Sequence, residues 1–181
     1  AGLPMFYQAL ERLDPSLHMG LGVRSGSNFL HVRNANAVPL GGSEFAYAAA
    51  HFPIVFAPAE AGSIPIAVTG VVEGQNLFVN EDGQWDPTAY LPGYLRRYPF
   101  WMTLEDEGRS ASAWFDPQAG YLVSLTENAN ARPLFDFTGQ PSLALKEIAE
   151  FCQQAFHDEQ ATVPFLQALE SEGLLVSQQA N

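Results

Sequence analysis

A single lysine, a single cysteine and no long apolar run bound what this chain can be. Lys146 is the only lysine, and charged residues make up 15% of the 181 positions. A phosphate backbone is held by clustered Lys and Arg, so no nucleic acid partner is expected. The net charge of −12 favours solubility and says little about partners. With Cys152 alone, neither an intrachain disulfide nor a multi-cysteine zinc or iron–sulfur site is possible. No apolar stretch approaches the ~20 residues of a membrane-crossing helix. The opening residues lack the basic and then apolar regions of a secretory signal, so a cytoplasmic, non-membrane-spanning chain is expected. Residues 1–4 read as an appended stretch ahead of a native Met5.

What the chain does have is apolar and aromatic material. Hydrophobic residues reach 47%, enough at this length for a sizeable core in one domain over residues 1–181. Residues 77–102 concentrate Trp85, Tyr90, Tyr94, Tyr98, Phe100 and Trp101 between turn residues, beside Arg96 and Arg97. Aromatics so grouped build a packing layer or a binding surface.

Residues 5–13 read as a strand or short helix stopped by Asp14 and Pro15. Residues 19–23 and 29–32 read as a hairpin around the turn at 25–28. Ser43 is the expected N-cap of a helix running to about His51, with Glu44 complementing its dipole. Gly41 and Gly42 could form an anion nest, but Glu44 would repel the anion, so the cap is the better reading. Strands are expected at 53–56, 64–72 and 77–79, with Pro65 on an edge or among the first residues of its strand. Gly83 should take the positive φ of a turn. Pro92 fits the first position of a helix of at most two turns that Pro99 ends. Residues 100–104 and 110–115 resemble a hairpin with an acidic tip at 105–109, and 121–126 another strand. Ser142 should cap the longest helix, which Pro164 breaks or kinks and Gly173 ends, with residues 174–176 folding back onto the core. Strands followed by helices give an α+β domain: a mostly antiparallel sheet packed by C-terminal helices.

Catalytic signatures are scarce. There is no GxSxG or HExxH, and GLGVRSG at 20–26 is not GxGxxG. Asn80, Asp82 and Asp86 surround Gly83, but Phe78 and Ala89 would fall at positions one and twelve of a calcium loop and cannot ligate. No cofactor and no metal is expected. Cys152 falls in register with Ile148, Ala149 and Phe156, so its thiol should be buried and inert. The candidate ligand-binding residues are Arg96, Arg97, Tyr94 and Tyr98. Neighbours on a helix point ~100° apart, so one arginine should brace the fold while the other stays free.

Several segments, in order, resemble the SapC family, which is named for an association with bacterial surface-layer protein loci. They are residues 5–7, 35–39 ahead of 43–45, 52–56, 76–79 with 83–85, 96–100 (RRYPF), 133–136, the helix after Pro141 and 173–175. The most specific is RRYPF. The chain is shorter than many members between Phe115 and Asn130. The resemblance implies a link to S-layer or surface-transport loci and carries no catalytic residues with it. Two functions remain open: a non-enzymatic accessory protein binding a protein or small ligand, and an enzyme with a site near Arg96 and Arg97. A filled aromatic core at the arginines favours the first; a polar cleft with a perturbed His or carboxylate favours the second.

Overall fold

Turn residues cut the first two-thirds of the chain into short pieces. A computed structural model describes residues 2–59, 62–105 and 110–178. In chain order these hold β1 (Glu11–Arg12), α1 (Pro15–His18), β2 (Leu21–Val23), β3 (Ala37–Pro39), α2 (Phe45–Ala48), β4 (Ile54–Ala59) and β5 (Gly62–Val68). Then come α3 (Gly93–Arg96), β6 (Phe100–Glu105), β7 (Ser110–Phe115), β8 (Leu122–Ser124), β9 (Arg132–Pro133) and the long α4 (Leu143–Ser171). The architecture is α+β, and every strand pair among the described residues is antiparallel. Among the described residues the strands divide into three sheets, ordered β1-β7-β6, β8-β2-β9 and β3-β5-β4. No described helix is long and apolar enough to cross a membrane.

The hairpin at residues 100–115 forms in register, Phe100 opposite Phe115 and Glu105 opposite Ser110. Apart from Glu105, its acidic tip lies outside the described residues. The hairpin expected from residues 19–32 does not form. β2 pairs with β8 and β9 instead, and Leu30–Val32 is a 3-10 turn. Asn28 Oδ1 accepts the Leu30 N–H at 2.8 Å, a local bond that competes with strand pairing. Of residues 5–13 only Glu11–Arg12 form a strand, and Asp14 just after it opens α1, its Oδ1 accepting the Ser16 N–H at 2.8 Å. Residues 77–79 supply only the bridge from Val79 to Trp85, across a turn where Gly83 takes φ +78°.

Pro65 sits fourth in the central strand β5, not at an edge. Its carbonyl accepts the Leu40 N–H at 2.9 Å, but it has no N–H to give back, and β3 ends one residue earlier. A central proline is tolerated because it marks where its neighbour stops.

α4 is capped by Ser142, whose Oγ accepts the Leu145 N–H at 3.1 Å and donates to the Pro133 carbonyl at 2.6 Å. Leu145, Ile148, Ala149 and Cys152 pack this helix onto Phe100, Met102, Phe115 and Leu134. Each fully buried Leu or Phe contributes about 1.5–3 kcal/mol through area removed from water. α4 continues through Pro164 without a fresh start, since Pro164 and Gln160, whose carbonyl loses its partner, both face solvent. At the end Gly173 takes φ +67°, and the Gly173 and Leu174 N–H groups donate to the carbonyls of Glu170 and Leu169, a Schellman turn. Residues 174–176 do not fold back: Leu174 and Val176 stay exposed. The last fully buried residue of α4 is Leu166, so the chain leaves the helix beyond the core.

Cys152 is 3% exposed, and burial pushes its thiol up to about 11. A water-soluble thiol reagent is therefore expected to leave the native protein unlabelled for minutes while reacting at once in denaturant. Rapid native labelling would mean that this face of α4 opens to water.

Candidate functional site

Two prolines bound α3, and a carboxylate from another segment pins it. Pro92 stands at the N-cap with φ −55°, one place earlier than expected, so the helix is a single turn. Glu44 does not repel here; it collects donors. Its Oε1 accepts from the Gly93 N–H at 2.6 Å and the Tyr90 hydroxyl at 2.8 Å, and its Oε2 from the Gly41 N–H at 2.7 Å. Ser43 does not cap α2. Its N–H and hydroxyl both donate to the Asp158 carboxylate, at 3.1 and 2.8 Å, and the Gly42 N–H donates to Thr162 Oγ1. The glycine turn thus seats a carboxylate from α4.

The two arginines have different environments. The Arg97 side chain is 3% exposed and pairs with Glu159 at 2.7 Å. Its guanidinium lies 3.8 Å from the Trp101 ring centre and 4.5 Å from that of Tyr94. Its Nε has no acceptor among the described residues. Arg96 is exposed, bonded to the Tyr90 hydroxyl at 3.3 Å and set 5.0 Å from the Phe151 ring centre. Tyr94 donates to the Met5 carbonyl at 3.1 Å, and burial pushes its hydroxyl up to about 12. Tyr98 is buried, stacked 3.9 Å from the His31 ring, and burial raises its hydroxyl as well.

Arg96, Arg97 and Tyr98 line a cavity of about 390 Å³ between α3, β2 and α4. Its apolar surface comes from Leu91, Leu95, Phe100, Ile148 and Phe151, among others. Tyr94 is not part of it; that ring faces a smaller cavity of about 160 Å³ beside Glu44 and Asp158. Arg96 lines both cavities and Arg97 stacks on Tyr94, so Tyr94 stays beside the arginines while its ring lies outside the larger cavity. The structure also adds Arg24 and Arg132, which sequence reasoning did not single out. Their only signal was rarity, as cations in an acidic chain. Arg24 lies 5.5 Å from the Tyr121 ring centre, and Arg132 pairs with Glu147 at 2.5 Å.

One family model, SapC, matches residues 13–181. The chain belongs to the SapC family. No curated protein and no solved structure matches it. In this SapC chain the RRYPF segment joins the elements described above: Arg96 lines the cavity, Arg97 pairs with Glu159 of α4, and Tyr98 and Phe100 are buried beside them.

A second cavity of this SapC chain, about 270 Å³, is polar and shares Arg24, Tyr98 and Tyr121 with the first. His31 lines it, and its Nε2 has no partner among the described residues. Burial drives the imidazole down to about 4, against a smaller opposing effect of a bond with the Asn28 backbone. A histidine with a depressed folded value binds fewer protons in the native state than in the unfolded chain. Its contribution is thus complete above about pH 6.5 and is lost as pH falls toward 4. Screening at its exposed side holds the loss to about 1–3 kcal/mol. Urea midpoints at pH 7 and pH 4.5 should differ more in the native sequence than in His31→Gln; equal differences would place the imidazole in water.

Proposed function

We propose that this SapC chain is a non-enzymatic accessory protein that holds a small ligand in the cavity between α3, β2 and α4. The single observation carrying this reading is the cavity itself. Its ~390 Å³ lies within the ~300–1,000 Å³ of ligand pockets, its wall is mainly apolar, and a few polar groups stand at it. The residues around it support binding over chemistry. No histidine lines it, Glu147 is engaged by Arg132, and burial keeps the Cys152 thiol protonated. Arg97 stands at the cavity wall already paired with Glu159 and stacked on Trp101 and Tyr94. The family resemblance supports placing this accessory role at a surface-layer or surface-transport locus.

Native mass spectrometry of the protein isolated from its own cells is expected to show a co-purifying small molecule. Ile148→Trp, which fills the cavity, is expected to remove it. Recovery of bare protein alone, or a companion retained in full by the filled variant, overturns the reading.

A further inference from the structure

We infer that the ligand of this cavity is an amphipathic anion, an alkyl or aryl body ending in one carboxylate or phosphate group. This rests on the cavity being the binding site. The chain has seven arginines and one lysine against twenty acids. Four of those arginines, Arg24, Arg96, Arg97 and Arg132, line this cavity, together with one carboxylate, Glu147. The local charge is therefore opposite in sign to that of the whole molecule. A concave site with low-dielectric walls focuses such a field onto an entering ion.

Two of the four cations are already neutralised. Arg97 is paired with Glu159, and Arg132 with Glu147. Arg24 and Arg96 are not. Among the described residues no carboxylate lies within 4 Å of either. Each lies instead near aromatic rings, Arg24 beside Tyr121 and Arg96 beside Phe151 and Tyr90. Ring contact steadies a guanidinium while leaving donors free for an oxyanion. Both arginines are exposed, which puts the head group at the mouth, where it keeps part of its water. The body then lies against Leu95, Phe100, Ile148 and Phe151. The smaller cavity lacks this bias, since there Arg96 is joined by Glu44, Asp158 and Glu159.

Titration calorimetry on the full chain, with octanoate, octyl phosphate and 1-octanol as probes, tests the inference. At least one anion is expected to bind about tenfold or more tightly than the alcohol at low salt, with the margin narrowing as salt rises. The relative affinities of octanoate and octyl phosphate tell a carboxylate site from a phosphate site. Arg24→Gln combined with Arg96→Gln should bring the anions down to the affinity of the alcohol while octanol binding stays put. Arg12→Gln, remote from the cavity, should change nothing. Equal binding of alcohol and anions overturns the anion inference and leaves the binding cavity standing. If none of the three probes binds, the cavity reading itself falls. An anion preference that survives the double substitution places the head group elsewhere and overturns the assignment to Arg24 and Arg96.

Discussion

Arg97→Ala is expected to lower stability by about 3–4 kcal/mol, and Arg96→Ala by less than about 0.5 kcal/mol. Arg97 has left water almost completely, while Glu159 keeps 36% of its side chain exposed. Breaking a buried pair by removing one partner costs about 3–5 kcal/mol. The lower part of that range applies because water can still reach Glu159. The lost stack on Trp101 and Tyr94 adds to it, since an arginine stem and plane pack as well as pair. Glu159→Gln keeps an acceptor for the Arg97 Nη2 and should cost about 1–3 kcal/mol. Arg97→Lys should not rescue, because an ammonium cannot reproduce the planar stack. Urea unfolding at pH 7 gives all four values. Equal losses for the two alanine variants would contradict the division into one brace and one free cation.

The second large effect is expected at Leu134, where alanine should cost about 3 kcal/mol. Leu134 is 0% exposed and lies among Phe100, Phe115, Phe135, Leu145 and Cys152. Its backbone ties two elements together: the N–H donates to the Leu21 carbonyl, and the carbonyl accepts from the N–H of Ser142, the cap of α4. A strand on one side and a helix start on the other leave little freedom to collapse into the void. Costs for such sites lie toward the middle or top of the usual 2–5 kcal/mol range. Leu143→Ala, at the 72% exposed first residue of α4, is the matched control and should stay within about 0.5 kcal/mol. Similar unfolding midpoints for the two would show that this cluster relaxes freely.

Local signals were readable in the sequence, and distant ones were not. The Ser142 cap, the period of α4, the hairpin at residues 100–115 and the left-handed turn at Gly83 are all specified within a few residues, and all are present. Residues 29–32 misled, because four apolar-rich residues fit a strand as well as a 3-10 turn, and a side-chain bond from Asn28 decides between them. Ser43 was visible as a cap candidate, but not that its N–H and hydroxyl would be taken by Asp158 from 115 residues away. The same limit hid half the cavity. Arg96 and Arg97 stood out as neighbours, whereas Arg24 and Arg132 join them only through the pairing of β2 with β9 and the packing of α4. Helical geometry said that the two neighbouring arginines diverge; only packing says that Arg97 is the one turned inward.

The opening segment is fastened mostly to partners far along the chain. The Tyr7 hydroxyl reaches the Phe100 carbonyl 93 residues away, and the Gln8 N–H reaches Asp116 across 108 residues. Closing loops of that size costs chain entropy before any contact repays it. During synthesis, then, β1 waits unpaired until β7 has been made, with Phe6, Tyr7 and Leu10 uncovered in the interval. Until residues 100–116 have been made, this opening segment is a stretch of uncovered apolar surface open to aggregation.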